Sequence, residues 1–259
     1  MAIVVLTSAS GSPGVTTTTI SLAIHWGSPA IAVDADPGGG SAMVAGFFQG
    51  MYTPEVSVVD LLMAHRAGRL YEQFPQSLAP IHSCSASIMP GPRSHAQAHS
   101  ALDVWEPLSS IWRTLTVNGE GTDVLIDAGR LGMEYYPESL LKVCDLNLLV
   151  TKSDLPSLSA AKQWAERAQE THQVHPESPE WAILVVGPGR PYATRDITSV
   201  LGLPVISTLD VDSKGASAMS QGSMPRKRSP WYNQFTRCAG EIQAKITATH
   251  RVLTPKDER

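Results

Sequence analysis

The sequence has few charged residues, and its composition excludes several classes of protein. Charged side chains make up only 17% of the 259 residues and hydrophobic side chains 42%, a balance that excludes an intrinsically disordered chain. The formal net charge is −4, so no overall basic excess draws the protein to nucleic acid. No apolar run reaches the roughly 18 residues that cross a bilayer. We therefore expect a folded, soluble protein.

Cysteine is also scarce. Cys84, Cys144 and Cys238 are too few and too widely spaced for a disulfide framework or a zinc site. The eight histidines, among them His82 and His95, show no metal-ligand spacing, and we expect most of them to be solvated. The first segment, MAIVVLTSAS, lacks a basic n-region, so we interpret it as a strand and not as a signal peptide. These features are typical of a cytoplasmic protein.

Short apolar runs alternate with longer segments of helical periodicity, which is the signature of an α/β fold. The runs are rich in Val, Ile and Leu without polar alternation, as expected for a parallel sheet covered by helices on both faces. Strands are predicted at residues 3–6, 30–33, 88–89, 124–126, 146–150, 183–186 and 205–206. Helices are predicted at residues 16–26, 58–67, 102–115, 159–171, 194–201 and 232–248. We expect one domain over residues 1–250, a polar tail over 251–259, and no clear assignment for 68–100.

A phosphate loop is predicted between the first strand and the first helix, in the segment IVVLTSASGSPGVTTTTISLA. Backbone N–H groups of such a loop, together with the positive end of the following helix, form an anion site that needs few side chains. Against the pattern G-x-x-x-x-G-K-[ST], the loop keeps Gly14 and Thr16. It has Ala9 in place of the first glycine and Val15 in place of the lysine. The alternative is a turn that keeps the shape of a phosphate loop but binds nothing.

The loop resembles the deviant Walker A motif of the ParA/MinD family of P-loop ATPases, K-G-G-x-G-K-T-T, which aligns with residues 10–17 without a gap. Both family lysines are absent, since Ser10 and Val15 stand in their places, and Pro13 removes one N–H group from the loop. This loss predicts weak or absent hydrolysis. The resemblance implies that ATP is bound by Gly11, Ser12, Pro13, Gly14, Val15, Thr16 and Thr17.

Other segments are similar to the family in the same order along the chain. VDADPGGG resembles the D-x-D-P segment, TDVLIDAGRLG a Walker B strand, CDLNLLVTKSDLPSL the next strand and helix start, and LGLPVISTLDVDSKGASAMSQG the stretch that closes over the base. The resemblance implies that Asp36 is catalytic and orients the attacking water. It also implies a Mg²⁺ site formed by Thr16, Asp36 and Asp127. The implied fold is α/β, a doubly wound, mostly parallel central sheet flanked by helices, the P-loop NTPase fold.

Two departures from the family bear on the nucleotide. Gly187-Pro188-Gly189 follows a predicted strand where many relatives have an asparagine that reads adenine, so the base preference stays open. Without the loop lysines another cation must offset the phosphate charge, and Arg130, three residues beyond Asp127, is our candidate. Lys152 and Lys214 on neighbouring loops are the alternatives.

The resemblance further implies a homodimer with a protein partner, acting as a nucleotide-dependent positioning or assembly factor of the pilus, secretion or cell-pole type. A nucleotide-free scaffold is one alternative. A DNA-partition ATPase is another, for which the basic run Arg226-Lys227-Arg228 is the only local support. A metabolic enzyme is disfavoured because no nucleophile or acid–base pair lies near the loop. The apolar stripe of the last helix is expected to dock on the sheet and not on a membrane; it comprises Trp231, Phe235, Cys238, Ile242 and Ile246.

Overall fold

The central feature of the protein is an eight-stranded sheet. The computed structural model describes residues 1–253 except residues 12, 53, 83 and 118, and only the backbone of residues 117 and 251–253. The strands are β1 (Ile3–Ser8), β2 (Ala30–Asp34), β3 (Ala79–Pro80), β4 (Ala86–Met89), β5 (Thr116–Val117), β6 (Glu120–Gly121), β7 (Asp123–Arg130), β8 (Leu146–Lys152), β9 (Glu180–Val186) and β10 (Val205–Leu209). Their order in the large sheet is β10-β9-β8-β1-β7-β2-β4-β3, and β5 and β6 pair separately. Neighbouring strands of the large sheet run parallel, except that the edge strand β3 is antiparallel to β4.

Helices cover both faces of this sheet. The α-helices are α1 (Val15–Ile24), α2 (Val58–Arg66), α3 (Leu70–Gln73), α4 (His95–Trp112), α5 (Glu138–Val143), α6 (Leu155–Val174), α7 (Thr194–Leu201), α8 (Ser213–Ser220) and α9 (Pro230–Leu253). Helices α1, α8 and α9 pack on one face, and α2, α4, α5, α6 and α7 pack on the other. A short π-helix, Met43–Phe47, and a 3-10 helix, Phe74–Ser77, complete the helical structure of the described residues.

The central strands are apolar on both sides because each side faces a separate core. In β1, Ile3 and Val5 enter the core under α2 and α4, whereas Val4 and Leu6 enter the core under α1 and α9. Successive strand side chains point to opposite faces, so a strand buried on both faces cannot show polar alternation. The prediction of a doubly wound, mostly parallel sheet is confirmed.

All seven predicted strands are present, and the helix predicted at residues 194–201 coincides with α7. The predicted start of the fourth helix at Leu102 is wrong, because α4 begins at His95, where the Ser94 hydroxyl caps it by accepting the Gln97 N–H at 3.3 Å. The unassigned segment 68–100 contains α3, the 3-10 helix, β3, β4 and the first turns of α4. Helix α9 continues to Leu253, past the expected boundary at residue 250, and residues 254–259 lie outside the described part.

The apolar stripe of α9 is buried against the sheet, as expected. Trp231, Phe235, Cys238, Ile242 and Ile246 all belong to the core shared with α1, and each is at most 6% exposed. The stripe is therefore not available to a membrane surface. Within the described ranges, no helix has both the length and the hydropathy needed to span a bilayer.

Candidate functional site

The predicted phosphate loop lies between the carboxyl end of β1 and the start of α1, as in phosphate-binding folds. Gly14 precedes the helix with φ 94° and ψ 34°, a left-handed conformation that side chains other than glycine rarely adopt. Its carbonyl accepts the Thr18 N–H at 2.9 Å and so begins the helical ladder. Gly11 is exposed and Pro13 is buried, while Ser12 lies outside the described residues.

The left-handed backbone at Gly14 predicts a specific cost of substitution. A methyl group on Gly14 would meet no atom within 4 Å, so the cost of Gly14→Ala comes from the positive φ alone, about 1–2 kcal/mol. Gly11→Ala is the matched control, because Gly11 has equally open surroundings and no positive φ. We expect Gly14→Ala to lower the denaturant midpoint and Gly11→Ala to leave it nearly unchanged. Equal midpoints for the two variants would contradict the assigned backbone conformation.

Val15 is directed into the apolar core instead of towards a ligand. It is 7% exposed and belongs to the same cluster as Leu6, Met43 and Phe47. A lysine at this position would place its ammonium group near that cluster unless it turned outward, so the substitution by valine fits the packing. Ser10, at the other family lysine, is half-buried, as are Thr16 and Thr17. The loop therefore retains backbone donors and hydroxyl groups but no cation.

Two aspartates meet at the carboxyl edge of the sheet. Asp34 ends β2 and lies opposite Asp127 of β7 in the parallel register, and both side chains point to the α1 face because Ala32 and Leu125, two residues earlier, enter that core. Asp34 is 3% exposed and Asp127 is 1% exposed. Oδ2 of each carboxyl group is buried with no hydrogen-bond partner among the described residues.

This arrangement raises the pKa of both carboxyl groups. Burial, and then the charge of Asp34, raises the pKa of Asp127 to about 7, although the nearby Thr16 hydroxyl partly offsets the rise. Burial raises the pKa of Asp34 to about 6, against a lowering contribution from the Ser41 hydroxyl. Two buried carboxylates side by side without a cation are electrostatically unfavourable. A divalent cation between them would remove that cost.

Asp36 lies at the outer side of the same edge. It is half-buried, and its Oδ1 accepts the Gly38 N–H at 2.8 Å. A methyl group on Gly129 would come within 2.5 Å of that Oδ1, so the Asp36 carboxylate rests directly on the Gly129 backbone. The Gly129 N–H in turn donates to Asp127 Oδ1 at 2.9 Å. The two predicted metal ligands Asp36 and Asp127 are therefore held on either side of one glycine.

A buried chain of hydrogen bonds positions that glycine. The Tyr136 hydroxyl donates to Thr7 Oγ1 at 2.9 Å, and the Thr7 hydroxyl donates to the Gly129 carbonyl at 3.1 Å. Thr7 and Tyr136 are both buried. These bonds fix the backbone that follows Asp127 and, through it, the position of the Asp36 carboxylate.

The oxygen groups at this edge fit a magnesium ion better than a transition metal. Among the described residues, no three His, Cys, Asp or Glu side chains form a cluster that would hold a metal by themselves. Mg²⁺ in nucleotide sites needs only one or two carboxylates and a hydroxyl, because phosphates and waters supply the other ligands. Thr16, Asp127 and the unpartnered Oδ2 of Asp34 satisfy that requirement.

A cavity of about 140 Å³ opens beside the loop, between α1, α8 and α9. Gly14, Thr17 and Thr18 line one side, and the segment that follows β10 lines another. A cavity of about 150 Å³ accepts one benzene ring, so this cavity has room for one of the two fused rings of a purine base. The segment after β10, which the resemblance predicts to close over the base, therefore lines the same cavity as the end of the phosphate loop.

Helix α9 supplies the aromatic wall of this cavity. Trp231, Gln234 and Phe235 line it, and the Trp231 and Phe235 rings lie 4.7 Å apart between centroids. The Trp231 indole N–H is buried and has no hydrogen-bond partner among the described residues. Gly187, at the asparagine position of relatives, has a positive φ of 72°, a backbone conformation that side chains other than glycine rarely adopt. Polar side chains that line the cavity and could meet a base include those of Thr17, Ser213 and Gln234.

The candidate cations are all exposed. Arg130 ends β7 with an exposed side chain, and its backbone pairs with Ser8 of β1 at the start of the phosphate loop. Lys152, at the end of β8, and Lys214, in the first turn of α8, are also exposed. The basic run of residues 226–228 is exposed just before α9. Of these candidate cations, Arg130 is the one on the same strand as Asp127, three residues beyond it.

Sequence reasoning missed two parts of the site. Asp34 is the first aspartate of the D-x-D segment, and its place at a strand end was the signal that could have identified it. The contribution of Trp231 and Gln234 had no such signal, since helical periodicity distinguishes a buried face but not which part of it lines a cavity.

The architecture, a parallel sheet with a phosphate loop between β1 and α1 and aspartates at the neighbouring strand ends, defines a P-loop NTPase fold. Solved structures narrow this to the ParA/MinD type. MinD from Pyrococcus horikoshii OT3 complexed with Mg-ADP matches with a TM-score of 0.72 and 17% identity, over 96% of this chain and 98% of that one. The ParA family ATPase from Chlorobium tepidum TLS matches with a TM-score of 0.71 and 17% identity, over 93% of this chain and 98% of that one. The MinC:MinD cell division protein complex of Aquifex aeolicus matches with a TM-score of 0.70 and 16% identity, over 94% of this chain and 96% of that one.

At these identities the likeness establishes the fold, and the chain has the fold of the ParA/MinD ATPases. No protein-family model and no curated protein sequence matches it. The fold predicted from the sequence is confirmed, whereas the roles of the individual site residues stay predictions.

Proposed function

We propose that this protein is a nucleotide-dependent switch that binds ATP with Mg²⁺, hydrolyses it slowly or not at all, and acts as a positioning or assembly factor. The observation that carries the proposal is the pair of buried carboxylates, Asp34 and Asp127, each with an unpartnered oxygen beside the phosphate loop. A fold that had abandoned cation binding would gain stability by replacing such a pair with neutral side chains. Their presence therefore supports a retained Mg²⁺ site.

In this proposal the loop backbone and the start of α1 hold the phosphates, and Thr16 and Asp127 hold the metal. Asp36 orients a water, and Arg130 neutralises phosphate charge. One ring of the base occupies the cavity against Trp231 and Phe235. Slow turnover follows from Ser10 and Val15, because two cations that stabilise the transferring phosphoryl group in the family are absent.

The biological role follows by analogy and rests on the fold. The relatives of this fold include a septum site-determining protein and a MinD that assembles with MinC. We propose a homodimer that recruits a protein partner in its nucleotide-bound form. With Ser10 at the signature position, the dimer lacks the lysine that reaches across in the family, so we expect it to be weaker than that of typical members.

Calorimetric titration of ATP, with and without Mg²⁺, tests the proposal. We expect wild-type binding to strengthen with Mg²⁺, and Thr16→Ala and Asp127→Ala to lose roughly tenfold or more of that gain, the size of one or two charge-assisted contacts. Asp103→Asn is the matched control, because Asp103 is an exposed carboxylate paired with Arg66 on a distant helix. Trp231→Phe replaces the two-ring indole by a smaller phenyl ring in the wall of the cavity, and should weaken ATP binding with and without the metal alike.

Two outcomes would replace this proposal. No heat at millimolar ATP would leave a nucleotide-free scaffold, which the burial of Val15 in the core favours. ATP binding accompanied by steeply salt-dependent DNA binding through residues 226–228 would indicate a partition ATPase.

A further inference from the structure

An apolar cavity outside the nucleotide site lies on the opposite face of the sheet, between α5, α6 and the start of β9. We call it the tryptophan cleft; its volume is about 460 Å³, within the range of small-molecule sites. Its walls are formed mainly by Leu131, Tyr136, Leu141, Trp164, Ala168 and Trp181. None of these residues belongs to the predicted phosphate or magnesium site.

Two tryptophans make the cleft suited to a flat ring. Trp164 and Trp181 are only partly buried, whereas the other four tryptophans are at most 5% exposed. Gly132 leaves room for the first of these rings, since a methyl group there would lie 3.3 Å from Trp164. Partly exposed indoles facing one cavity leave apolar surface in contact with water, which a stacked aromatic ligand would cover.

The polar groups of the cleft are mostly donors. Neither exposed indole N–H has a hydrogen-bond partner among the described residues. The Tyr136 hydroxyl is already used, because it donates to Thr7 at 2.9 Å, so the tyrosine offers only its ring. A ligand that completes this site must therefore bring acceptors.

The charged groups at the rim favour an anion. The cations are Lys142 and Arg167, the carboxylates are Glu138 and Glu177, and His175 is the remaining ionisable group of the rim. The His175 Nδ1 lies 3.4 Å from the Glu177 Oε1, so the Glu177 carboxylate already has a partner within the protein. Lys142 and Arg167 form no ion pair within the described part of the chain, so both side chains are available to an anionic ligand. Arg167 is held 5.6 Å from the centroid of the Trp164 ring, where it would meet a carboxylate carried by a stacked ligand.

We propose that the tryptophan cleft binds a small aromatic anion, a flat ring bearing a carboxylate or a similar acid group. The ring stacks against Trp164 and Trp181, and the acid group pairs with Arg167 and Lys142. The site is separate from nucleotide binding, so it stands whether or not the protein binds ATP.

Calorimetry with two probes of the same shape and opposite charge tests this assignment. We expect 2-naphthoate to bind about tenfold more tightly than 2-naphthylmethylammonium, the effect of one charge-assisted contact. Arg167→Gln should remove this preference, and Trp164→Ala should abolish binding of both probes. Lys162→Gln is the matched control, because Lys162 is an exposed cation of the same helix that pairs with Glu166 and does not line the cleft.

Three results would overturn the proposal. Absence of binding at millimolar 2-naphthoate, or equal affinity for the two probes, would overturn the proposal. Binding that survives both Trp164→Ala and Arg167→Gln would place the probe elsewhere, for example in the cavity beside Trp231, and would also overturn it. Circular dichroism of each variant shows whether it is folded. If Trp164→Ala does not fold, Arg167→Gln still tests the proposal, because the Arg167 side chain is exposed.

Discussion

Asp127→Asn is expected to raise the melting temperature of the protein at pH 8 by about 5–10 °C when nucleotide and Mg²⁺ are absent. The amide has the shape of the carboxylate and keeps an oxygen for the Gly129 N–H, but it carries no charge. It therefore removes a buried anion and its repulsion on Asp34. A pKa shift of this kind corresponds to a few kcal/mol, at about 1.4 kcal/mol per unit, and each kcal/mol moves the melting temperature by about 2–4 °C in a chain of this size.

The sign of the effect follows from proton linkage. The folded-state pKa values of Asp34 and Asp127, about 6 and about 7, lie above the ordinary value of 3.8. The folded protein therefore binds more protons than the unfolded chain between about pH 4 and 7, so the free energy of unfolding decreases as the pH rises through that window. The gain from Asp127→Asn should accordingly be large at pH 8 and small at pH 5.

Thermal denaturation at the two pH values checks this expectation. The control is Asp103→Asn, whose exposed carboxylate should change stability by no more than about 0.5 kcal/mol at either pH. The same gain at both pH values would show that it does not come from the charge of Asp127. A lower melting temperature for Asp127→Asn at pH 8 would show that the carboxylate is stabilised in the free protein. The paired carboxylates would then be a structural feature and not a site waiting for a cation.

Gly91→Ala is expected to be among the most destabilising single methyl additions in the protein. A methyl group at Gly91 would lie 2.3 Å from the Asp34 carbonyl oxygen and 2.8 Å from the Asp34 Cγ. Neither atom can move freely, since Asp34 ends β2 and β2 is paired on both sides with β4 and β7. We expect a loss of about 3 kcal/mol or more, at the upper end of overpacking costs, which lowers the melting temperature by roughly 6–12 °C.

Gly240→Ala provides a control of opposite sign. Gly240 lies inside α9 on its exposed side, with no atom within 4 Å of an added methyl group and no positive φ. Alanine is better than glycine within a helix by about 1 kcal/mol, so this variant should be slightly more stable than the wild type. If Gly91→Ala melted at the wild-type temperature, this result would contradict the close contact between Gly91, which follows β4, and Asp34, which ends β2.

The parts of the fold that were predicted from the sequence are those with local signals. Val-, Ile- and Leu-rich runs identified the strands, and helical periodicity identified α2, α6, α7 and α9. The start of α4 was missed because its first two turns, with His95, Gln97 and Ser100, are polar and exposed at several positions, so the apolar pattern begins only later. The Ser94 cap was the available signal.

The candidate site was predictable to the extent that its residues belong to short motifs. The loop residues Gly14 and Thr16, and the strand-end aspartates, stand in recognisable segments. The pairing of Asp34 with Asp127 was not visible in either segment, because it depends on β7 entering the sheet beside β2. The role of Trp231 depends in the same way on how α9 crosses α1 and α8.

The sequence by itself determined seven of the eight strands of the large sheet, the place of the phosphate loop, and the loss of both loop lysines, because each is written in adjacent residues. Only the tertiary structure decided that Asp34 and Asp127 are buried together with unpartnered oxygens, that α9 closes the cavity beside the loop, and that Trp164 and Trp181 face one cleft. These features join residues far apart in the chain, and their burial and charge interactions exist only once the sheet and its helices have packed.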